Sequence, residues 1–306
     1  MNDRKVKNDH QSGQLKWGVD DMQTRSWMSD IADERDVSLI NIPGTHDSCT
    51  YRASQHEGLG FVKTQNMSLD EQLENGCRFL DIRVRRYNNK FVIHHGKYYL
   101  HLNFDDVVKA CTSFLNKNPS ECIMMSIKEE CSSHNSSKSV QEVFEDYYYR
   151  SPSAWFVENY IPKLKDVRGK ILLLRRFKIT EGSLPLGIDF KFEDNTSFKY
   201  TFNKPLKHEL VCEDYYTPWS VKSKKKAIIN NLSLSNHSSN EKILFVTFLS
   251  GTNFIKIITP LNLAREINHW FLNKYGETKS RMGVVMYDFA DPKYLQNIIR
   301  KNFNDK

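Results

Sequence analysis

The stretch GKILLLRR, residues 169–176, sets the expectation for the fold. Residues 170–174 form a short and almost wholly apolar run, which a glycine precedes and two arginines follow. A strand that is apolar along its length, rather than at alternate positions, has both faces buried, which is typical of parallel sheets covered by helices. Further runs of this strand type occupy residues 37–42, 79–84, 90–95, 121–127, 243–248 and 283–287.

Amphipathic segments separate these runs. Their apolar residues recur with helical spacing, which predicts helices at residues 69–75, 105–115, 139–149, 261–273 and 292–301. Strands that alternate with helices, without a linker that divides the chain, predict a single α/β domain. Seven or eight strands in this order predict an irregular (β/α)8 TIM-type barrel. The stretch 179–210 is polar with alternating aromatic residues and is left unassigned.

The first thirty residues differ from the rest of the chain. Residues 1–30 are polar and are expected to form a partly irregular N-terminal extension, anchored by Trp17 and Trp27, ahead of a barrel over residues 31–306. This segment contains no apolar region of the signal-peptide type. No run of about 18 apolar residues occurs anywhere, so no transmembrane segment is expected. The compartment is left open between the cytoplasm and export with a leader that is absent from this chain.

Composition and charge narrow the class of protein. With 39% hydrophobic residues in a chain of 306, the sequence excludes a disordered protein. A formal net charge of +7 favours anionic partners such as phosphates, acidic lipid surfaces or nucleic acid, without choosing among them. The densest positive run, Lys222 with residues 224–226, is interpreted as a solvated helix start or loop. The six cysteines include no C-x-x-C pair, so no structural metal is expected.

Polar residues follow the predicted strands at the point where each strand ends. In a parallel barrel the carboxyl ends of the strands meet at one rim, where the chemistry of such folds is carried out. Two imidazoles, several cations and several carboxylates suit phosphoryl transfer without a serine or thiol nucleophile, with one imidazole as base, the other as acid and a guanidinium on the phosphate oxygens. The residues concerned are His46, Asp47, Asp81, Arg83, His95, Lys128, Arg176 and Asp288. The adjacent His94 is expected to pack or hydrogen-bond beside His95, and Arg175 is expected to point outward, because a period of two cannot turn both arginines inward.

These strand ends contain motifs that resemble a known family. The chain is similar to the X-region of bacterial phosphatidylinositol-specific phospholipase C, in collinear order from about Asp30 to the C-terminal MYDF. The combination of PGTHDS with DIR and then HHG is specific for this family, whereas each motif alone would be weak evidence of membership. The matching stretches are INIPGTHDSCTY, CRFLDIRVRRYNNKFVIHHG, LNKNPSECIMMSIKEE and GKILLLRRF.

The resemblance implies a set of catalytic roles. His46 would be the general base that takes the proton from the inositol 2-hydroxyl, and His95 the general acid that protonates the departing diacylglycerol oxygen. Asp288 would orient His46, and Asp47 would do the same for His95 and Arg83. Arg83 would contact the phosphate.

The resemblance also implies a headgroup pocket. Lys128 and Arg176 would line it, and Asp81 is expected to belong to it rather than to serve as a structural partner of an arginine. In the segment VCEDYY the family has an acidic residue two positions before a tyrosine. Glu213 and Tyr215 fit that spacing, and the tyrosine would offer a flat face to the inositol ring.

The same resemblance bears on metals and on the membrane. Calcium-dependent relatives carry carboxylates where this chain has Arg83, and an asparagine where it has Asp47, so a metal-independent enzyme without a cofactor is implied. Phe61 and Phe254 lie on predicted rim loops and are interpreted as rings that either dock on lipid or pack locally. We therefore expect a monomer that acts transiently on phosphatidylinositol-containing membrane surfaces and binds no nucleic acid.

Three functions from different classes remain. The leading one is a phosphodiesterase that cleaves phosphatidylinositol, or its glycosylated form, to diacylglycerol and inositol 1,2-cyclic phosphate. The second is a glycerophosphodiester phosphodiesterase-like hydrolase, which would need metal-binding carboxylates and an HRG motif that the sequence lacks. The third is a catalytically silent phosphoinositide-binding module, although both histidines are present. Headgroup preference is left open.

Overall fold

The computed structural model describes residues 23–180 and 184–303, and these residues form a strongly curved sheet surrounded by helices. The strands are β1 (Ile42–Thr45), β2 (Phe79–Tyr87), β3 (Lys90–His95), β4 (Tyr98–Asn103), β5 (Ile123–Glu129), β6 (Trp155–Phe156), β7 (Ile171–Arg175), β8 (Ile188–Asp189), β9 (Ser197–Asn203), β10 (His208–Glu213), β11 (Ile243–Phe248) and β12 (Val284–Tyr287). Among the described strands, β1 has four residues, whereas β2 is the longest with nine.

The helices lie between these strands, and several begin at capping residues that the sequence shows. Ser68 and Ser139, for example, each accept a hydrogen bond from the backbone of a glutamate three residues later, whose side chain bonds back to the cap. The helices are α1 (Leu69–Glu74), α2 (Phe104–Lys117), α3 (Val140–Arg150), α4 (Leu164–Val167), α5 (Val221–Asn236), α6 (Pro260–Tyr275) and α7 (Pro292–Arg300).

The strand order is that of a barrel with one irregular side. The sheet runs β6-β7-β5-β2-β1-β12-β11-β10-β9, and every pairing from β6 to β10 is parallel. In the described part of the chain no ladder joins β9 to β8. Side chains cross that side instead, because Tyr200 Oη donates to Asp189 Oδ2 at 3.1 Å and Asn159 Nδ2 to the Phe202 carbonyl at 3.2 Å. The structure confirms the prediction of a single-domain, irregular TIM-type barrel.

Alternate residues of the parallel strands fill two separate cores. One set packs against the helices, and the other fills the barrel interior. Gly44 lies in the interior set, where an added Cβ would come within 2.5 Å of Met286 Sδ, so only glycine fits. The interior residues include Ile42, Phe79, Met124, Leu172, Leu174, Leu210, Cys212, Leu244, Val246, Val284 and Met286.

The first predicted strand is wrong in position. Residues Val37–Leu39 form a 3-10 helix, and β1 begins at Ile42, the last residue of the predicted strand, and includes Pro43 and Gly44. Pro43 is the second residue of this short strand and has no N–H to donate, and its carbonyl accepts the Arg78 N–H at 2.9 Å. The strand therefore ends directly before His46.

The segment that precedes the first strand is anchored at the end of the barrel where the parallel strands begin. Trp27 is buried and its Nε1 donates to the Gly76 carbonyl at 3.0 Å. Trp17, the other expected anchor, lies outside the described residues, as does most of the extension predicted over residues 1–30. The boundary between residues 30 and 31 stays a prediction.

Candidate active site

The interior rows of side chains continue past the carboxyl ends of the strands and meet there. His46 follows Ile42 and Gly44 in the same row, and Asp288 follows Val284 and Met286. Because side chains alternate along a strand, each polar residue that lies an even number of positions beyond an interior apolar residue points to the same side. The residues placed in this way are His46, Asp81, Arg83, Lys128, Arg176, Asp214 and Asp288.

His46 is held by a buried carboxylate. Its Nδ1 lies 2.7 Å from Asp288 Oδ1, and Gln65 Nε2 fixes the backbone by donating to the His46 carbonyl at 2.9 Å. Burial acts to lower the pKa of His46, but the Asp288 and Asp47 carboxylates outweigh burial and the pKa is raised above its ordinary value. The Nε2 atom is left to face the interior of the site.

His95 faces His46 across Asp47. Its Nδ1 lies 2.7 Å from the Val62 carbonyl, which only accepts, so Nδ1 carries a proton. Its Nε2 lies 3.4 Å from Asp47 Oδ2, and His46 Nε2 lies 3.6 Å from the same oxygen. One carboxylate oxygen thus lies between the two inward-facing imidazole nitrogens.

Arg83 is surrounded by carboxylates. Its guanidinium contacts Asp47 Oδ1 at 2.8 Å, Asp81 Oδ2 at 3.2 Å and Glu130 Oε1 at 3.2 Å. Its Nη2 also lies 2.7 Å from His46 Nε2. A planar guanidinium with five donors can hold all these groups in one orientation.

Glu130 is a member of the site that the sequence analysis missed. Its carboxylate contacts Lys128 Nζ at 3.0 Å as well as Arg83, and it accepts the Gly96 N–H at 3.2 Å. Burial acts to raise the pKa of Glu130, yet Arg83 and Lys128 outweigh it and hold that pKa at about 2. Its position two residues after Lys128, at the end of the IKEE segment, is the signal that could have found it.

The two arginines after β7 point in different directions, as a period of two requires. Arg176 lies inside, with its Nη1 3.8 Å from Asp81 Oδ1 and its guanidinium 3.6 Å from the centre of the Phe192 ring. Arg175 pairs instead with Asp189 at 3.1 Å. Burial acts to raise the pKa of Asp81, but Arg83 and Arg176 outweigh it and keep that carboxyl ionised.

The structure does not bring Glu213 and Tyr215 into the site, which corrects the sequence interpretation. Glu213 lies on the helix-facing side of β10, where it is fully buried against Lys224, and the Tyr215 hydroxyl accepts the Trp219 N–H at 2.9 Å. Asp214 is next in the interior row after Cys212.

Asp214 and Tyr216 have the same spacing as the predicted pair Glu213 and Tyr215, one position later in the chain. The Asp214 carboxyl interacts electrostatically with Arg176, His46 and Arg83, and burial raises its pKa despite these cations. The Tyr216 hydroxyl donates to Asp194 Oδ1 at 2.8 Å. The alternation of β10, in which Leu210 and Cys212 face the interior, is the signal that distinguishes the two pairs.

Phe61 and Phe254 lie together on the surface rather than in the site. Their ring centres are 5.3 Å apart. Further exposed apolar side chains occur on the same two loops and at the start of α5, and we call the whole set the apolar rim. It comprises Leu59, Phe61, Trp219, Phe254, Ile255 and Ile257, of which all but the partly buried Phe61 are between 62% and 81% exposed.

Within residues 23–180 and 184–303, no group of three or more His, Cys, Asp or Glu side chains is arranged to hold a metal ion. Cations of the protein itself, Arg83, Lys128 and Arg176, lie between the carboxylates.

Comparisons with known proteins identify the family. Residues 41–177 match the model of the phosphatidylinositol-specific phospholipase C X domain. The chain is 34% identical over 289 residues to a 1-phosphatidylinositol phosphodiesterase of Listeria monocytogenes, covering 91% of this chain and 85% of that protein. It is 30% identical over 279 residues to one of Staphylococcus aureus strain Newman, covering 87% and 88%. The chain belongs to the phosphatidylinositol-specific phospholipase C family, which confirms the resemblance seen in its motifs.

Solved structures of the same family have the same fold as this chain. The phosphatidylinositol-specific phospholipase C of Listeria monocytogenes superposes with a TM-score of 0.76 at 30% identity, over 92% of this chain and 100% of that one. A Staphylococcus aureus phosphatidylinositol-specific phospholipase C, solved in work on modulation of its membrane binding, gives 0.83 at 28% identity, over 92% and 98%. In the described part of this chain, no helix combines the length and apolarity needed to span a bilayer.

Proposed function

We propose that this protein is a phosphatidylinositol phosphodiesterase that works by intramolecular phosphoryl transfer. Its family makes it an enzyme of the phospholipase C class, and the curated relatives are named for action on phosphatidylinositol. The observation that carries the mechanism is the placement of two imidazole Nε2 atoms, 3.6 Å and 3.4 Å from one oxygen of Asp47. Two imidazoles that face one space can act as a base and an acid on one phosphodiester.

The first step uses His46 as the base. Its Nε2 takes the proton from the inositol 2-hydroxyl, and that oxygen forms a bond to phosphorus. The bond from phosphorus to the diacylglycerol oxygen breaks, and protonated His95 gives its Nε2 proton to that oxygen. The products are diacylglycerol and inositol 1,2-cyclic phosphate, and Asp288 stabilises the imidazolium that forms at His46, 2.7 Å away.

Arg83 supplies positive charge to the phosphate oxygens, with no metal in the mechanism. Without substrate, Arg83 Nη2 lies 2.7 Å from His46 Nε2. In this state the Nε2 lone pair accepts a hydrogen bond from Arg83 and is not available to accept a proton from the substrate. A bound phosphate competes for this guanidinium through charge-assisted hydrogen bonds and frees His46 Nε2. The carboxylates of Asp47, Asp81 and Glu130 keep Arg83 in place during this exchange.

The inositol ring occupies the space between Lys128, Arg176, Asp214 and Tyr216. Cations and a carboxylate can hold vicinal hydroxyls by complementary hydrogen bonds, and the tyrosine ring can cover an apolar face of the sugar. Asp214 and Tyr216 take the roles that the sequence analysis assigned to Glu213 and Tyr215. Asp81 orients Arg83 and Arg176 rather than the ring, since it contacts both.

The apolar rim docks the barrel mouth on the lipid surface. Phe61 and Phe254 contact each other and so form one insertion unit, while Lys256 lies 4.0 Å over the Trp219 ring at the same rim. Exposed rings and aliphatic side chains gain free energy when they leave water for the bilayer interface, and lysines gain from anionic headgroups. The protein is expected to act there as a monomer, without nucleic acid as a partner.

Phosphorus NMR of phosphatidylinositol vesicles tests the reaction. We expect the cyclic inositol phosphate signal to appear at the same rate with and without EDTA. Arg83→Lys should lower kcat by about 10²-fold, because a point ammonium cannot copy the planar fork. Loss of turnover in EDTA and its recovery with calcium would contradict the metal-free mechanism, and a linear phosphate as first product would favour the glycerophosphodiesterase-like alternative.

A further inference from the structure

Lys224 is a buried lysine in the first turn of α5. Its side chain is fully buried, whereas Lys222 and Lys226 in the same run are exposed. This corrects the interpretation of the run as wholly solvated. The N-terminal end of a helix carries partial positive charge, so a lysine there is unfavourable, and burial adds the cost of desolvation. A residue with both costs needs a compensating interaction.

Glu213 provides that interaction from the end of β10. Lys224 Nζ donates to Glu213 Oε1 at 2.9 Å, to Oε2 at 3.1 Å and to the Tyr215 carbonyl at 3.0 Å, which uses all three of its protons. Glu213 Oε1 also accepts the Tyr215 N–H at 3.1 Å. The ion pair therefore holds both polar groups of the Tyr215 backbone.

Tyr215 lies between the two residues that face the headgroup pocket. A peptide segment whose central N–H and carbonyl are both bound cannot rotate, so the side chains of Asp214 and Tyr216 are held in one direction. The same segment is bound to a rim loop, since the Tyr216 carbonyl accepts the Thr252 N–H at 2.7 Å.

We propose that Glu213 and Lys224 are a positioning pair for headgroup recognition, acting through the Tyr215 backbone to orient Asp214 and Tyr216 toward the barrel mouth. The inference rests on the proposed function, because it assigns Asp214 and Tyr216 to the inositol. Neither member of the pair contacts the substrate. Replacing a buried ion pair by apolar residues of similar size is often neutral for stability, so the pair can be tested apart from the fold.

The experiment is the double variant Glu213→Leu with Lys224→Met, assayed on a soluble inositol phosphodiester. We expect a thermal midpoint close to that of the wild type, KM raised about tenfold and kcat within about twofold. Hydrogen exchange of the peptide that contains Tyr215 should become faster. Lys222→Met, an exposed lysine two residues away, is the matched control and should match the wild type in every measurement.

A wild-type KM in the double variant would overturn the proposal, as would a raised KM with unchanged exchange at Tyr215. Glu213→Gln keeps the shape and can still accept from Tyr215 and Lys224, so it should show a smaller rise in KM and serves if the double variant does not fold. If the wild-type protein itself did not turn over phosphatidylinositol, the proposed function would fail. The exchange difference at Tyr215 would still decide whether the pair holds the backbone.

Discussion

The two ends of the barrel both contain buried charge, but they use it differently. At the amino end, Arg78 pairs with Glu121 at 2.9 Å, and both side chains are fully buried. Arg78 also donates to the carbonyls of Leu73, Cys77, Thr24 and Arg25, so its guanidinium has a partner on every side. At the carboxyl end, by contrast, three buried carboxylate oxygens of described residues have no hydrogen-bond partner: Asp47 Oδ2, Asp81 Oδ1 and Asp288 Oδ2.

This difference distinguishes the structural ion pair of Arg78 and Glu121 from the carboxylates of the candidate active site. A buried charge whose hydrogen bonds are all made contributes order, whereas buried carboxylates with unused acceptors make the local electrostatic potential more negative and favour cations or protons. At the amino end the pair anchors the segment on both sides of Trp27, since Glu121 Oε1 accepts the Met28 N–H at 3.1 Å and Arg78 donates to the Thr24 carbonyl at 3.1 Å. At the carboxyl end the incomplete network leaves room for substrate.

The largest effect is expected for the imidazoles. His46→Ala or His95→Ala should lower kcat by ~10²–10⁴, since each removes a general base or acid. The fold should survive both substitutions, because both side chains lie at the open end of the barrel. The thermal midpoint should fall only in His46→Ala, which leaves the buried Asp288 without the imidazole it pairs with. Turnover of phosphatidylinositol vesicles and circular dichroism measure the two quantities. Retention of more than about a tenth of wild-type activity in either variant would refute the role assigned to that residue.

The amino end should show the opposite pattern. Arg78→Met leaves Glu121 buried without its partner, which should lower the free energy of unfolding by ~3–5 kcal/mol. Activity per folded molecule should stay near that of the wild type, because Arg78 is far from the site. Denaturant unfolding with an active-site titration measures both. A large loss of kcat in folded Arg78→Met protein would remove the distinction between the two ends.

The apolar rim offers a smaller and more selective effect. Phe61→Ala with Phe254→Ala should weaken binding to phosphatidylinositol vesicles by about tenfold or more, because the apolar area no longer leaves water, at ~25 cal/mol per Å². Activity on a soluble inositol phosphodiester should stay near normal. Leu234→Ala removes a side chain of similar exposure from the last turns of α5 and is the control. Equal loss on both substrates would mean that the rings hold the pocket or the fold.

The smallest effect is a displacement of the pH profile. The catalytic form of His46 is neutral, and its pKa lies above 6.5, so kcat/KM should fall as the pH drops through that raised value. Asp288→Asn removes the largest influence that raises this pKa, and the acid limb should move to lower pH. The protonated His46 also stabilises the fold below pH 6.5, and this contribution is lost as the pH rises through the folded pKa. An acid limb that stays in place in Asp288→Asn would show that Asp288 does not control His46.

Several elements and much of the site could be predicted because they depend on local patterns. The strand predicted at 79–84 places Asp81 and Arg83 on one side through a period of two, which the sequence shows directly. His46 was expected after a strand, but that strand, β1, lies at Ile42–Thr45 rather than at 37–42. The roles of these residues stay predictions, since geometry places them together without measuring their chemistry. The strands between residues 188 and 213 were missed, because polar and aromatic residues alternate there on the irregular side of the barrel.

The error at Glu213 and Tyr215 has a definite cause. Two acidic residues and two tyrosines stand in a row, so the spacing alone fits two pairs, and only the alternation of β10 selects Asp214 with Tyr216. The buried position of Lys224 was equally hidden, because its neighbours are lysines and its partner Glu213 lies on another element.

By itself the sequence determined the family, the α/β barrel class and the polar residues that meet at the carboxyl ends of the strands, because apolar runs, turn residues and motif order are local properties of the chain. Only the tertiary structure decided which of two adjacent carboxylates faces the barrel interior, which of four lysines is buried, and that Glu130 joins Arg83 and Lys128. These outcomes depend on how a strand is rotated against its neighbours and on which helix covers it. Contacts between elements distant in the sequence set both, and no single stretch of sequence records them.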